Sequence, residues 1–125
     1  MAVTAHELRV RLRRGLQLTR GERLRTLRRI DGLTQEEMAG IYGVSLDCYR
    51  GWEADVGDVP IVTGELRVGD LPLGELCYIH RRRRGITLQE VAHALGRSVS
   101  WVHRAESGQS GIDELVGYLE RRGVS

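Results

Sequence analysis

The stretch that decides the fold is GLTQEEMAGIYGVS at residues 32–45, because its pattern returns as GITLQEVAHALGRS at residues 85–98. The offset of 53 residues needs no gap, and it also lays Arg28 on Arg81 and Glu53 on Glu106. Apolar positions fall on apolar positions through both stretches. The chain therefore contains two copies of one unit of about 35 residues.

Each copy has the pattern of short helices with marked ends. Three Thr–Glu pairs have the spacing of a capping box, which supplies partners for the free amides of a helix start: Thr19–Glu22, Thr34–Glu37 and Thr87–Glu90. Gly43 and Gly96 follow the first helices, and Ser45 and Ser98 precede the second ones. This pattern predicts two short helices joined by a tight glycine turn, which is a helix-turn-helix unit.

The 125 residues are 41% hydrophobic and 29% charged, a soluble globular composition with room for one ordinary domain or two very small ones. The net charge of +2 hides an uneven distribution, since residues 1–30 carry +7, residues 31–76 carry −8 and residues 77–125 carry +3. Every basic residue is arginine. This distribution fits a polyanionic partner at the chain ends, pairing between segments, or solvated helix faces.

Several classes of protein are excluded. No apolar run approaches the length of a membrane span, and the arginine-rich start has no apolar core of a secretory signal. Cys48 and Cys77 are too few for a disulfide framework, and we interpret them as free buried thiols. Cys77 and His80 lack a second ligand pair for zinc, and no catalytic motif is present. We expect no enzymatic activity, cofactor, metal, membrane association or small-molecule substrate.

The sequence closely resembles the lambda-repressor/Cro-like (XRE-type) helix-turn-helix family. The segments that carry the resemblance are Gly32–Ala39, Tyr42–Ser45 and Trp52–Glu53 in the first copy, and Gly85–Ala92, Leu95–Ser98, Ser100–Val102 and Glu106 in the second. The resemblance covers roughly Gly21–Glu53 and Gly74–Gly108. It implies an all-α fold of two tandem small helical bundles, each placing the second helix of its motif in the DNA major groove.

The resemblance also implies one ion pair in each copy, between an arginine late in the first helix and the glutamate that closes the recognition helix. The residues at these positions are Arg28 with Glu53 and Arg81 with Glu106. An exposed pair contributes only about 0–1 kcal/mol, whereas a partly buried pair holds the recognition helix rigidly. We favour the partly buried arrangement.

The second copy has residues suited to reading DNA. Those that face outward from its recognition helix are Ser98, Val99, Ser100, His103 and Arg104, which offer a guanidinium for guanine, hydroxyls, and methyl groups for thymine. The residues expected to contact phosphates are Arg81, Arg82, Arg83, Arg84 and Arg97. For Trp101 we favour packing against a neighbouring helix over a contact with nucleic acid.

The first copy is less suited to DNA. Its outward residues are Ser45, Leu46, Asp47 and Arg50, with acidic residues close behind. Asp47 can accept a hydrogen bond from a cytosine amino group, but the local charge repels phosphate. Gln35 is the expected phosphate contact of this copy. The departure from a basic or amide-rich pattern leaves open whether this copy reads bases.

The residues before the first copy predict an extra amphipathic helix from about Ala5 to Gly15. Arg9 and Arg13 would contact phosphates from it, or a mobile start would enter the minor groove as a basic arm. The alternative, which the sequence favours equally, is that the helix packs on the first copy and neutralises its acidic residues. We divide the chain into this helix or arm at residues 1–18, the first unit at 19–57, a linker at 58–72, and the second unit at 73–125. A hairpin or a loose helix remains open for Ile61–Val68, and Ile112–Arg122 is expected to close the second unit.

These features predict a sequence-specific regulator of transcription that binds double-stranded DNA. We expect a phage-type repressor that acts by occluding a promoter. Its expected location is the cytoplasm, at the nucleoid of a bacterial or phage-infected cell. Two different recognition helices favour an asymmetric site read by a monomer, and a homodimer is not excluded. The alternative is a protein-binding module, such as a toxin–antitoxin or polymerase partner, in which only the second unit contacts DNA. Nonspecific nucleoid binding is a third possibility.

Overall fold

A computed structural model describes residues 5–62, 66, 71–108 and 111–123. The described residues form eight helices and no strand, which confirms the expected all-α class. In chain order the helices are α1 Ala5–Arg13, α2 Arg20–Ile30, α3 Gln35–Tyr42, α4 Leu46–Glu53, α5 Leu73–Arg83, α6 Leu88–Leu95, α7 Val99–Glu106 and α8 Ile112–Arg121.

Helix starts and stops follow the local sequence signals. Thr34 has its hydroxyl 3.1 Å from the amide of Glu37, whose carboxylate accepts the Thr34 amide in return. The other threonine caps accept in the same way, from Glu22 at α2 and Glu90 at α6. The helix that ends at Tyr42 stops because Gly43 adopts φ +68°, a left-handed conformation that favours glycine. Gly96 does the same between α6 and α7, with φ +63°.

The helices belong to two compact units. The inserted unit, residues 17–68, contains α2–α4 and the first copy of the repeat. The composite unit, residues 1–16 and 69–125, contains α1, α5–α8 and the second copy. This division differs from the expected segments, which set residues 1–18 apart from 73–125.

The core of the inserted unit is small and partly aromatic. Leu24, Ala39, Tyr49 and Val59 are buried together, so the chain still contributes to this core beyond α4, within the expected linker. Tyr42 and Trp52 complete an aromatic group with Tyr49, with ring centroids 5.5–6.4 Å apart. Of the undecided segment Ile61–Val68, residues 63–65, 67 and 68 lie outside the described part of the chain.

The N-terminal helix is part of the composite unit, whereas the expectation that tied it to the first copy placed it with the inserted unit. α1 contacts α5 and α8, and Leu12 on α1 is fully buried along with Leu76 and Leu115. Burying each of these leucines contributes about 1.5–3 kcal/mol. The half-buried His80 has its Nε2 atom 2.8 Å from the carbonyl oxygen of Leu12, which also ties α1 to α5.

The two cysteines differ, which corrects the expectation that both are buried. Cys77 is fully buried in α5, and this burial raises the pKa of its thiol to about 12. Cys48 is exposed, because it lies on the outer side of α4. No cluster of three or more His, Cys, Asp or Glu side chains suits a metal ion within the described ranges. Among the helices described, none is long and apolar enough to cross a membrane.

Candidate nucleic-acid interface

One buried ion pair in the composite unit anchors the end of α7. Arg81 donates from Nε to the carboxylate of Glu106 over 2.5 Å, and from Nη2 to its other oxygen over 3.1 Å. Its Nη1 donates to the carbonyl of Ile86 over 2.8 Å. Both side chains are at least 96% buried, with 4% and 3% exposed. The guanidinium therefore joins α5, the turn before α6, and the last residue of α7.

The inserted unit repeats this pair with one addition. Arg28 donates to Glu53 over 2.6 and 3.2 Å and to the carbonyl of Leu33 over 2.9 Å. Gln35 also donates to Glu53, over 3.0 Å. Burial pushes the pKa of Glu53 upward, but hydrogen bonds from Arg28 and Gln35 outweigh this, and the pKa lies below its usual value. The expected phosphate contact Gln35 is thus occupied inside the protein.

A pair of glycines allows α2 to approach α4 and α5 to approach α7 closely. A Cβ atom on Gly74 would lie 2.3 Å from the carbonyl oxygen of Glu106, and one on Gly21 would lie 2.5 Å from that of Trp52. Only glycine permits this approach. We did not single out these residues from the sequence, although they stand at the same offset of 53 as the rest of the repeat.

The recognition helix of the composite unit presents a polar, cationic outer surface. Ser98 caps α7, with its hydroxyl 3.0 Å from the amide of Trp101. The other predicted reading residues are all exposed: Val99, Ser100, His103 and Arg104. Their inner neighbours Val102 and Ala105 are fully buried. The helix therefore divides as predicted into a packed side and an open side that combines hydroxyl, methyl, imidazole and guanidinium groups.

The predicted phosphate contacts divide into exposed and buried residues. Arg82, Arg83 and Arg84 are exposed at the end of α5, and the Arg82 guanidinium lies 5.9 Å from the ring centre of Tyr78. Arg81 is buried, and all of its described bonds are internal. We therefore assign Arg81 to the ion pair alone, since a phosphate cannot reach its guanidinium.

Arg97, another predicted phosphate contact, is engaged within the composite unit. Its Nη2 and Nε donate to the two carboxylate oxygens of Glu114 on α8, over 2.6 and 3.2 Å. Hydrogen bonding to this carboxylate raises the pKa of Arg97. The guanidinium also lies over the ring of Trp101, 4.9 Å from its centre. Trp101 is half-buried, in agreement with the packing role favoured for it.

The corresponding surface of the inserted unit has one exposed carboxylate and one arginine on α4. Ser45 caps α4, with its hydroxyl 3.1 Å from the amide of Cys48, and Leu46 is half-buried. The Asp47 side chain is 96% exposed, and Arg50 lies 3.9 Å from it. Arg50 also donates to Gln35 over 3.4 Å. This side of α4 thus has one arginine that is already bonded to its own unit, beside the exposed carboxylate of Asp47.

On α1, the arginines predicted to contact phosphate are the less accessible ones. Arg9 and Arg13 are half-buried with their Nε atoms shielded from solvent, and Arg13 donates to the carbonyl of Leu71 over 3.3 Å. Arg11 and Arg14 are the exposed arginines of this segment. Arg9 and Arg13 lie on the same side of α1 as the buried Leu12, which places them toward the core. The arginines that a phosphate could reach are therefore Arg11 and Arg14, which were not predicted.

The second copy of the repeat lies within a segment that resembles a known protein domain. Residues 73–116 match the family model of a helix-turn-helix domain. The match begins at the first residue of α5 and ends within α8, so it includes the whole α6–Gly96–α7 motif. A helix-turn-helix domain suggests a DNA-binding regulator. Comparison with curated proteins and with solved structures gives no match.

Proposed function

We propose that this protein is a sequence-specific regulator of transcription that binds double-stranded DNA, a phage-type repressor that occludes a promoter. The observation that carries the proposal is the outer side of α7, where Ser100, His103 and Arg104 are exposed on a helix held by the buried Arg81–Glu106 pair. Rigid placement of a recognition helix suits base reading, because bidentate contacts need fixed geometry.

The distribution of charge between the units supports DNA binding by the composite unit. It has twelve arginines against eight acidic residues, a balance of +4, whereas the inserted unit has seven against nine, a balance of −2. Residues 1–16 contribute four of these arginines and residues 77–125 contribute eight, and both stretches belong to the same unit. Cationic side chains supply the sequence-independent part of DNA affinity by releasing counterions from phosphates.

The test begins with selection of bound sequences from a random pool of DNA duplexes by the full chain. A defined motif supports specific reading, and enrichment without any motif would reduce the proposal to nonspecific nucleoid binding. On the selected site, Arg104→Ala should weaken binding about 5- to 150-fold, the range for loss of one bidentate base contact. Arg121→Ala, which removes an exposed arginine from the last turn of α8, is the matched control and should change affinity little.

We further propose that both copies read bases, so that one chain occupies two unlike half-sites as a monomer. The support is the same motif geometry, with α3 and α4 joined through Gly43 and Ser45 capping α4. Sedimentation of the complex on the selected duplex measures its stoichiometry. One chain per asymmetric site is the expected result, and two chains on a palindrome would refute this part.

The exposed carboxylates of α3 and α4 favour a second candidate function, in which the inserted unit docks a protein such as a toxin or a polymerase subunit. At corresponding positions, the inserted unit has Glu36, Asp47 and Gly51 where the composite unit has Gln89, Ser100 and Arg104. Two carboxylates thus replace neutral groups, and the arginine best suited to guanine is replaced by glycine. Phosphates would be repelled from this surface.

An exchange of residues distinguishes these functions. The triple variant Glu36→Gln, Asp47→Ser and Gly51→Arg gives α3 and α4 the side chains of the composite unit, and space at Gly51 permits it because a Cβ there lies 3.7 Å from its nearest neighbour. If the inserted unit docks a protein, the triple variant should bind DNA more tightly than the parent, whereas Arg50→Ala should leave the DNA affinity unchanged. If it reads bases through Asp47 and Arg50, both variants should lose specific affinity.

A further inference from the structure

We propose that α8 positions the recognition helix of the composite unit for DNA through a clasp formed by Arg97, Trp101, Gly111 and Glu114. In this role Arg97 is a positioning residue that acts through α8, and it does not contact phosphate. The inference rests on the proposed function, since it assigns the clasp to the same DNA-reading helix.

The polar half of the clasp links the turn before α7 to the first turn of α8. Arg97 follows Gly96 in that turn, and two of its nitrogens donate to the two oxygens of Glu114. Such two-point pairing fixes orientation as well as distance. Since the face of the guanidinium also lies over Trp101, its edge and one face are both engaged within the unit. A phosphate would have to displace Glu114 to use the same edge.

The apolar half of the clasp is the packing of Trp101 on the start of α8. A Cβ atom on Gly111 would lie 2.3 Å from Cζ2 of Trp101, so the indole ring occupies the space of a side chain there. Gly111 also has φ +78°, a second reason why this position requires glycine. The ring is thus held between the Arg97 guanidinium and the backbone that begins α8.

The position of Trp101 along α7 explains how the clasp would aim the reading residues. His103 lies two residues further on, about 200° around the helix from the tryptophan. Fixing the indole against α8 therefore turns the His103 side of the helix outward. The first copy has Val44 and Cys48 at the positions of Arg97 and Trp101, so its own residues cannot form this clasp.

A charge exchange tests the proposal on the full chain, with a selected duplex and an unrelated duplex as probes. Arg97→Glu and Glu114→Arg alone each break the pair and should weaken specific binding about fivefold, the upper range for an exposed ion pair. The double variant restores opposite charges and should return specific affinity to within about twofold of the parent. If Arg97 instead contacts phosphate, the double variant stays as weak as Arg97→Glu, and Glu114→Gln tightens binding by releasing the arginine.

Salt dependence and hydrogen exchange complete the test. Arg97→Ala should leave the slope of log K against log salt unchanged, whereas loss of a phosphate contact would reduce it by about 0.9. Without DNA, the amides of Trp101 and Val102 should exchange faster in either single charge variant and regain protection in the double. Unchanged exchange would overturn the clasp. Altered exchange with unaltered DNA affinity would overturn the role of the clasp in DNA reading. If the parent chain itself binds no DNA sequence specifically, the proposed function is refuted.

Discussion

Replacing Arg81 with alanine is the most demanding test of how the composite unit holds its recognition helix. The substitution leaves the Glu106 carboxylate buried without its two arginine bonds, and the Ile86 carbonyl without its donor. Breaking a buried pair on one side typically destabilises a protein by about 3–5 kcal/mol. For a unit of this size that corresponds to a melting temperature lower by more than about 10 °C.

The corresponding substitution in the inserted unit, Arg28→Ala, should be less damaging. Glu53 keeps its hydrogen bond from Gln35, whereas the second copy has Leu88 at that position, whose side chain has no donor. A hydrogen bond to a charged group contributes about 1.5–3 kcal/mol. We therefore expect Arg28→Ala to destabilise its unit by about 1.5–3 kcal/mol less than Arg81→Ala destabilises the composite unit.

Thermal and urea unfolding followed by circular dichroism measures both variants. Arg82→Ala, which removes the exposed arginine next in the chain, is the control and should change stability by less than about 0.5 kcal/mol. The double variant Arg81→Met, Glu106→Leu should be more stable than Arg81→Ala, because no unpaired charge is then buried. An Arg81→Ala protein as stable as the control, or less affected than Arg28→Ala, would refute the reasoning.

Three further predictions concern glycine, pH and thiol reactivity. Gly74→Ala should destabilise the composite unit by more than about 2 kcal/mol, because its new methyl group would collide with the backbone carbonyl of Glu106. Gly40→Ala has open space around it and should stabilise α3 by up to about 1 kcal/mol. The midpoints of denaturant unfolding measure both changes. Since its pKa is lowered, ionised Glu53 stabilises the inserted unit above about pH 4.5, and this stabilisation should be lost as the pH falls through the lowered pKa. Unfolding free energies measured across this pH range test this. A Glu53→Gln protein whose unfolding free energy has the same pH dependence as the parent would contradict it. An aromatic disulfide reagent should modify Cys48 within minutes, and Cys77 only on unfolding; equal rates would contradict the burial described.

Local signals explain why much of the fold could be predicted from the sequence. Thr34 and Ser98 cap helices through atoms three residues away, and Gly43 ends α3 through its own backbone angle. Such features depend on neighbours in the chain, so they can be read without knowledge of the tertiary fold. The open side of α7 was predictable for a related reason, because helical periodicity separates its inner residues from its outer ones.

The positions of α1 and Arg97 could not be read in this way. The apolar stripe through Leu12 shows that a surface must cover it, but not which surface, and the acidic first copy looked electrostatically suitable. Arg97 lies in an exposed turn. It gains Glu114 as a partner only because α8 packs beside this turn in the folded unit. Arginine suits phosphate and carboxylate equally well, so residue type alone could not decide.

The division of the composite unit between both ends of the chain has a consequence for synthesis. A ribosome adding about 5–20 residues per second needs about 3–12 s to make the roughly 60 residues that separate α1 from α5. The inserted unit is complete during that interval, whereas α1 has yet to meet the helices that bury Leu12. Helix α1 is thus made before the inserted unit but is packed only after it. A nascent chain arrested before residue 71 would carry the inserted unit and an unprotected basic helix, so the proposed DNA binding by the composite unit would begin only once α5–α8 have been made.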